Sequence, residues 1–251
     1  MSLIDALNIK YKDIVTIVGA GGKTSLMFSA ASFFKENYKV LVTTTTNIYV
    51  PDSEYFEFDK FCLIDDKELD NILNKYKHGV YVIGSKIINN LNKPKVKGLT
   101  FEMLDKITPF FDIVLIEGDG SREKSLKGWT DNEPVLYHKT TKTIGILDIS
   151  SIGLDINEDN IHRVDKLLNI INDNKSLNIN VEHLKDIVLS NKGLFKTSKG
   201  EKILFINKSE GIKNKENANI LIEEIINVNS SYIDKFTYGS IKNNEFLVIN
   251  K

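Results

Sequence analysis

Three glycines, a lysine and a threonine near the start of the chain have the types and spacing of a phosphate-binding loop. They follow the β-branched run at residues 14–18 and precede apolar residues with helical spacing. Glycines adopt backbone angles that let successive N–H groups point at an anion, and the beginning helix adds its own N–H groups and dipole. We expect Lys23 to reach the terminal phosphates and the Thr24 hydroxyl to bind Mg²⁺. The residues predicted to bind a nucleotide, ATP or GTP, are Gly19, Ala20, Gly21, Gly22, Lys23, Thr24 and Ser25.

The predicted loop is shorter than that of most P-loop proteins. The pattern G-x-x-x-x-G-K-[ST] has a glycine five residues before its second glycine, and Ile17 has that place here. The first glycine, Gly19, comes only three residues before Gly22. This spacing resembles the loops of Mur-type ligases. An ATP-dependent ligase or small-molecule kinase, acting on an acceptor carboxylate or hydroxyl, is therefore one alternative.

Two acidic residues follow the apolar strand predicted at residues 112–116. Glu117 and Asp119 are each followed by a glycine. In P-loop proteins an acid at such a strand end lies beside the phosphate-binding strand and binds Mg²⁺ directly or through water. We expect Asp119 to bind Mg²⁺. Glu117 is predicted to be a second metal contact, or the group that orients or deprotonates a nucleophile.

Basic residues follow the acidic strand end. Arg122 and Lys127 are candidates to stabilise charge that develops on a transferring phosphoryl group, because they would lie beside the proposed triphosphate. Together with Lys23 and Glu117 they complete the set of predicted catalytic residues. A solvent-exposed charged loop is the alternative interpretation of this basic segment.

Two further strand ends carry polar residues. Thr45, Thr46 and Asn47 follow the strand predicted at residues 39–43, and ligands bind at the carboxyl ends of parallel strands. These three residues are candidates to hold a substrate oxygen or a metal-bound water. Residues 207–210 follow another predicted strand and are similar to the Asn-Lys-x-Asp sequence of guanine-nucleotide proteins. Asn207 and Lys208 are predicted to contact the nucleotide base. Glu210 replaces the aspartate of that sequence, so the preference for adenine or guanine stays open.

The candidate residues have to be positioned by strands and helices, which the sequence predicts as apolar runs alternating with segments of helical spacing. They predict an α/β fold of three layers, P-loop NTPase-like, with a mostly parallel central sheet and helices on both faces. Residues 1–251 are predicted to form one domain. Residues 86–98 are expected to be a basic, irregular loop, with a lid over phosphates as the alternative. A helix with Ile161 and Ile171 facing inward would leave His162 and Arg163 outside.

Composition narrows the class of protein. The 251 residues include 33 basic and 34 acidic side chains, a formal net charge of −1, which gives no sign of a nucleic-acid-binding surface. Cys62 is the single cysteine, so an internal disulfide and a cysteine-based zinc site are excluded. No apolar run approaches the roughly 20 residues of a membrane span. We expect a cytoplasmic protein without a membrane or nucleic-acid partner.

Several segments together resemble the YqeC family. The resemblance rests on the glycine loop, the threonine-rich strand end and three later stretches: Glu117-Gly118-Asp119-Gly120-Ser121-Arg122 with Lys127 and Glu133-Pro134, His162-Arg163, and Asn207-Lys208. It implies a P-loop nucleotide-binding protein that assists the maturation of selenium-dependent molybdenum hydroxylases. The implied partners are a selenium- or molybdenum-cofactor species and a hydroxylase. By resemblance Glu133, His162 and Arg163 become candidate substrate-binding residues.

Two classes of function stay open beside the ligase or kinase. One is a Mg²⁺-dependent enzyme that hydrolyses a nucleotide or transfers a phosphoryl or nucleotidyl group. The other is a nucleotide-dependent switch or chaperone with little turnover. The acidic strand end and the neighbouring cations favour the enzyme, whereas the irregular loop at residues 86–98 could become ordered on binding, as the switch requires.

Overall fold

The computed structural model describes residues 1–89, 93–171 and 176–249. The strands, in chain order, are β1 Ile14–Gly19, β2 Lys39–Thr44, β3 Asn47–Tyr49, β4 Lys60–Leu63, β5 Gly79–Gly84, β6 Lys86–Ile88, β7 Lys95–Lys97, β8 Ile113–Glu117, β9 Leu126–Lys127, β10 Lys142–Asp148, β11 Ile161–His162, β12 Glu201–Asn207, β13 Lys235–Ser240 and β14 Glu245–Ile249. The helices are α1 Leu3–Leu7, α2 Lys23–Phe34, α3 Glu68–Asn74, α4 Phe101–Ile107, α5 Val164–Leu168, α6 Val181–Leu189 and α7 Gly211–Asn229.

Nine strands form the central sheet, in the order β14-β13-β12-β10-β1-β8-β2-β5-β4. Every neighbouring pair is parallel except β13 with β14. The phosphate-loop strand β1 therefore lies between β8, which ends at Glu117, and β10, which ends at Asp148. Parallel strands end at the same edge of a sheet. The last residues of five strands therefore lie along that edge: β1, β2, β8, β10 and β12.

Side-chain alternation along the strands builds the two apolar layers. On one face Ile17 of β1 packs in a buried cluster with Leu26 of α2. On the other face Val18, the next residue of β1, belongs to a cluster with Leu221 of α7. Successive side chains of a strand point to opposite faces, so a strand covered on both sides must be apolar throughout. The predicted α/β sheet with helices on both faces is confirmed.

Two short elements differ from the prediction at residues 86–98. β6 and β7 pair antiparallel, and β7 also pairs with β3, so an irregular loop was the wrong expectation for the described part of this segment. Residues 90–92 lie outside the described residues. The missed signal is the alternation Lys95-Val96-Lys97, in which Val96 is buried and the lysines are more exposed. Three residues of alternation are too few to separate from a charged loop.

The helix predicted from Ile161 begins later than expected. Ile161 and His162 form β11, which pairs in parallel with β9, and the helix begins only at Val164. Arg163, between the two elements, has a left-handed backbone with φ 62°. The pairing with β9 is a tertiary contact that local helical spacing does not reveal.

Across the described ranges, no helix has the length and apolar character needed to cross a lipid bilayer.

Candidate functional site

The loop between β1 and α2, which is the predicted phosphate loop, depends on glycine for its geometry. Gly19 and Gly21 have φ of 105° and 90°, angles that side-chain-bearing residues rarely adopt. A Cβ on Gly19 would also lie 2.2 Å from the carbonyl oxygen of Ile146, and one on Gly21 would lie 2.4 Å from the Cβ of Asp148. Neither position has room for a larger residue.

Backbone N–H groups at the end of the loop are available to an anion. Within the described residues, the N–H groups of positions 21–25 have no acceptor, whereas Leu26 donates to the carbonyl oxygen of Gly22. Thr24 is half-buried and Ser25 is exposed at the same end of the helix. The free N–H groups of a first helical turn, together with the helix dipole, favour a bound anion.

The Lys23 side chain lies between the loop and the two acids. Its ammonium donates to the carbonyl oxygen of Gly19 at 2.6 Å and lies 3.4 Å from Asp119 Oδ1 and 3.7 Å from Glu117 Oε1. Lys23 is only 4 % exposed. The predicted meeting of the glycine loop with both acids is therefore present, through the pairing of β1 with β8.

Glu117 faces Thr24 at the opening of the helix. The Thr24 hydroxyl donates to Glu117 Oε2 at 3.0 Å. Burial raises the pKa of Glu117, although the neighbouring Lys23 charge opposes the change. A hydroxyl and a carboxylate oxygen are hard ligands of the kind that Mg²⁺ prefers. Thr24 and Glu117 could thus contribute to a cation site that phosphate oxygens and water complete.

The position of Asp119 differs from the one expected of a direct metal ligand. Its carboxylate is fully buried and accepts the Gly19 N–H at 3.1 Å and the Trp129 indole N–H at 2.7 Å. Burial favours the neutral acid, but the charges of Lys127 and Lys23 and these hydrogen bonds outweigh it and lower the pKa of Asp119. Asp119 is therefore an ionised anchor of the loop, and its contact with Mg²⁺ stays a prediction.

Lys127 also has its ammonium fully engaged by the protein. Nζ lies 3.2 Å from Asp119 Oδ2, donates to Glu133 Oε2 at 3.0 Å and donates to the carbonyl oxygen of Gly120 at 2.7 Å. Only 1 % of the residue is exposed. These contacts suit a residue that positions the loop, and the contact of Lys127 with a transferring phosphoryl group stays a prediction.

An alternating series of charges joins the loop to Arg163. It runs from Lys23 to Asp119, Lys127, Glu133 and Arg163. The Arg163 guanidinium bonds both oxygens of Glu133, the second at 3.2 Å. Glu133 has a lowered pKa: burial opposes ionisation, but Arg163 and Lys127 outweigh it.

The threonine-rich end of β2 divides between structural and accessible positions. The Thr45 hydroxyl donates to the carbonyl oxygen of Val135 at 2.6 Å, which differs from its predicted contact with substrate. The Thr44 hydroxyl donates to the carbonyl oxygen of Glu117 at 2.8 Å. Thr46 and Asn47, in contrast, line the cleft described below. The first threonines thus join β2 to its neighbours, and the last two positions face the cleft, with the Thr46 hydroxyl 3.2 Å from that of Thr44.

Residues at the end of β12 support the loop from the other side. The Asn207 side chain donates to the carbonyl oxygen of Gly21 at 2.8 Å and accepts the Ile241 N–H at 3.2 Å. The Lys208 ammonium pairs with Asp148, which is fully buried. Glu210 accepts the Ser240 hydroxyl. Asn207, Lys208 and Glu210 all line the cleft, so contacts with a base remain a prediction.

One cleft of about 750 Å³ brings most of these residues together. It is lined by the loop, by Glu117, by residues 46–51, and by Arg122, His162 and Arg163. More basic than acidic side chains line it: seven (Lys23, Lys95, Arg122, Lys124, Arg163, Lys208 and Lys242) against four (Glu117, Glu123, Glu133 and Glu210). This excess of positive charge favours an anionic ligand.

The described residues contain no group of three or more His, Cys, Asp or Glu side chains arranged to hold a metal ion. A cation at Thr24 and Glu117 would need oxygens from a ligand. That requirement fits Mg²⁺, which is usually bound through one or two protein groups plus phosphate oxygens and water.

Comparison with known proteins identifies the family. The sequence model described as YqeC protein matches residues 15–165, which is more than half of the chain. The chain belongs to the YqeC family. A relative from Escherichia coli (strain K12), described as "Uncharacterized protein YqeC", is 28% identical over 201 residues, which are 77% of this chain and 74% of that protein.

The YqeC match covers only part of the cleft lining. It includes the loop, Glu117, Arg122 and the His162-Arg163 pair, and it ends before Asn207 and Lys208. Asn207 nevertheless bonds directly to the loop. The family segment and the later part of the chain therefore build this site together.

Sequence reasoning missed several residues that shape the site. Trp129 donates to Asp119, the side chain of Asp148 lies against Gly21, and Tyr49 and Phe56 line the cleft. Asp148 had a usable signal, because it ends a parallel strand next to β1. The aromatic residues have none, since single aromatics in loops are also common core residues.

Proposed function

We propose that this chain is a Mg²⁺-dependent nucleotide-binding enzyme that cleaves a nucleoside triphosphate by phosphoryl or nucleotidyl transfer. The observation that carries the proposal is the juxtaposition of free N–H groups at residues 21–25, the Lys23 ammonium and the Thr24–Glu117 hydrogen bond at one sheet edge. Preorganised donors at such an edge stabilise charge on phosphate oxygens. Mg²⁺ held by Thr24, with phosphate oxygens and water, would neutralise further charge.

In the proposed reaction the nucleotide loses a phosphorus–oxygen bond as an oxygen of water or an acceptor bonds to that phosphorus. The loop N–H groups and Lys23 orient the phosphates and stabilise the leaving oxygen. When the attacking oxygen belongs to water or a hydroxyl, Glu117 accepts its proton, and the raised pKa of Glu117 suits a general base better than that of an ordinary carboxylate would. A carboxylate acceptor attacks without losing a proton. Asp119 keeps Lys23 and Gly19 in position.

Transfer to an acceptor is favoured over hydrolysis alone. The cleft continues past the loop and Glu117 to Arg122, His162 and Arg163, whose side chains are not needed to hold a triphosphate. A water nucleophile requires no such lining. This observation supports a kinase- or ligase-like transferase. The binding-switch alternative loses the irregular loop on which it depended, because the described parts of residues 86–98 form paired strands.

The experiment that tests the proposal combines binding and turnover. Mg·ATP and Mg·GTP should stabilise the folded protein by RT ln(1 + [L]/Kd), about 2.7 kcal/mol at a hundredfold excess over Kd. Glu117→Gln should keep this stabilisation and lower turnover by about 100-fold or more. Glu123→Gln, an exposed acid of the same cleft, is the matched control and should retain turnover.

Each negative result has a distinct meaning. The proposal fails if neither nucleotide stabilises the wild-type protein. Turnover by Glu117→Gln at the wild-type rate would remove Glu117 as the base. If this variant instead loses Mg²⁺-dependent binding, Glu117 acts as a metal ligand.

The biological role is proposed from the family resemblance alone. In this proposal the chain assists the maturation of a selenium-dependent molybdenum hydroxylase, using the nucleotide to modify a selenium- or molybdenum-cofactor species. The acceptor in the cleft would be that species or a precursor of it.

A further inference from the structure

We infer that Arg122 and Arg163, beside His162, bind an oxyanion group of the second substrate, a phosphate or a carboxylate. This inference rests on the proposed function, since it names the chemical class of the acceptor in that reaction. The three residues line the same cleft as the phosphate loop. They come from two separate segments, the loop after β8 and the end of β11.

His162 lies among the basic residues of the cleft. Arg163 follows it in the chain, and Lys127 is its partner in the pairing of β11 with β9, while Arg122 lines the same cleft. Burial lowers the pKa of His162 to about 4, and the positive charges of Arg163, Lys127 and Arg122 contribute to the change, while Glu133 opposes it. The imidazole is therefore neutral at pH 7, so the positive charge in this part of the cleft comes from the arginines and Lys127.

The positive charge here exceeds what the nearby acids neutralise. Glu133 accepts from both Lys127 and Arg163, so one carboxylate is shared between two cations. Lys127 has a second acid in Asp119. Arg122 is exposed and, within the described ranges, has neither an ion pair nor a side-chain hydrogen bond. A guanidinium fork of this kind matches a phosphate or carboxylate in shape and charge.

Backbone geometry supports the same assignment. Arg122 and Arg163 have left-handed φ values of 51° and 62°, and Glu123 has 61°. Such angles are unfavourable for residues other than glycine and cluster at ligand-binding positions. Both arginines thus have a strained backbone at the one cleft that they share.

An apolar part of the cleft indicates what carries the oxyanion. Ile48, Tyr49, Val50 and Phe56 line it together with the arginines. Phe56 stacks on Phe28 with ring centroids 4.6 Å apart, and the Lys95 ammonium lies 4.6 Å from the centroid of Tyr49. These contacts hold the aromatic rings in place. The ligand class is accordingly a small molecule with an oxyanion and an apolar or aromatic body.

The test observes His162 directly by NMR. Phenyl phosphate, phenylacetate and inorganic phosphate are titrated at pH 7 and constant ionic strength, and His162→Gln assigns the imidazole signal. We expect an aromatic anion to shift the His162 signal at pH 7, and pH titrations with and without the anion should show the pKa of His162 raised by about one pH unit. The signal of His138, exposed beside Asp105, should not move. If phenyl phosphate binds more tightly than phenylacetate, the site prefers a phosphate. The opposite order indicates a preference for a carboxylate.

Matched variants separate a specific site from general charge. Arg122→Gln should weaken binding of the tighter aromatic probe by about tenfold, because it removes a charged hydrogen-bond donor. Lys166→Gln removes an equal charge from an exposed side chain outside the cleft lining and should bind as the wild type does. Arg163→Gln should weaken binding of the same probe as well. If Arg163→Gln folds poorly, Arg122→Gln alone still tests the site.

The same samples are titrated with Mg·ATP and Mg·GTP, which separates this inference from the proposed function. Binding of nucleotide with no response of His162 to any probe overturns the oxyanion site alone. A His162 response that depends on Arg122, without nucleotide binding, leaves the oxyanion site standing and overturns the proposed function. Wild-type probe affinity in both arginine variants also overturns the site.

Discussion

Glu117 and Asp119 stand two residues apart and have opposite electrostatic surroundings. Burial raises the pKa of Glu117, whereas two lysines and two N–H donors outweigh burial and lower that of Asp119. When two neighbouring carboxyl groups have surroundings that shift their pKa values in opposite directions, one group can transfer protons while the other keeps its charge. Glu117 therefore suits proton transfer, and Asp119 suits a permanent negative charge beneath the loop.

Replacing Asp119 tests this division by stability. Asp119→Asn should lower the free energy of unfolding by about 3–5 kcal/mol at pH 7, because it leaves two buried lysines without their shared carboxylate. The pKa of Asp119 is lower in the folded state than its ordinary value of about 3.9, so its ionised carboxylate stabilises the folded protein at any pH above about 3.9. This stabilisation is lost as the pH falls through the pKa of the folded state. The difference between variant and wild type should thus shrink below about pH 4.

Urea unfolding at pH 7 and at pH 3 measures this difference. Asp165→Asn, an exposed acid on α5, is the control and should change stability by no more than about 0.5 kcal/mol. A loss for Asp119→Asn that stays constant across this pH range would contradict an ionised anchor.

At the scale of elements, the phosphate loop is held by the ends of three other strands. Asp119, just after β8, accepts the Gly19 N–H. Asn207 of β12 donates to the carbonyl oxygen of Gly21, and the side chain of Asp148 of β10 lies against the same glycine. The loop conformation is therefore a product of the sheet order as well as of its glycines.

Gly21→Ala tests how tightly these elements enclose the loop. The new methyl group would meet both an unfavourable φ of 90° and the Cβ of Asp148 at 2.4 Å. We expect a loss of about 2–3 kcal/mol in the free energy of unfolding, together with loss of nucleotide binding.

Gly153→Ala separates the two causes. Gly153 has a nearly equal φ of 92°, and a Cβ there would have no neighbour within 4 Å. This variant should lose only about 1 kcal/mol, from the backbone alone, and keep nucleotide binding. Denaturant unfolding and calorimetry measure both effects. Equal losses in the two glycine variants would refute the close approach of Asp148.

At the scale of the whole molecule, the parallel sheet gathers residues that are far apart in the chain. Thr24, Glu117 and Asn207 reach one cleft because their strands or helix begin or end at the same edge. Arg163 joins them through β11 and β9, outside the central sheet. This arrangement would place the proposed nucleotide site next to the proposed acceptor site in one cleft, as the proposed group transfer requires.

The proposed maturation role predicts a cellular phenotype. Cells that make a selenium-dependent molybdenum hydroxylase should lose its activity and its selenium content when they lack this chain. Wild-type protein should restore both, and so should Gly153→Ala, whereas Gly21→Ala at equal abundance should not. Unchanged hydroxylase activity and selenium content in cells without the chain would exclude the role.

Much of the fold could be predicted from local patterns. β1, the glycine loop and α2 follow from a β-branched run, three glycines and helical spacing, all within 21 residues from Ile14 to Phe34. The acidic end of β8 was equally visible, because a buried parallel strand is apolar throughout and its polar successors stand out. By contrast, β7 and β11 are too short for their alternation to be distinctive.

Backbone preference and periodicity are local properties, so the sequence alone was enough to predict the parallel sheet, the loop and the charged residues near it. Which of those charges a ligand can reach depends on the tertiary structure. Asp119 and Lys127 pair with each other out of solvent, while Glu117, Arg122 and Arg163 line the cleft. Burial and pairing depend on neighbours brought by other strands, and no spacing within one segment encodes them.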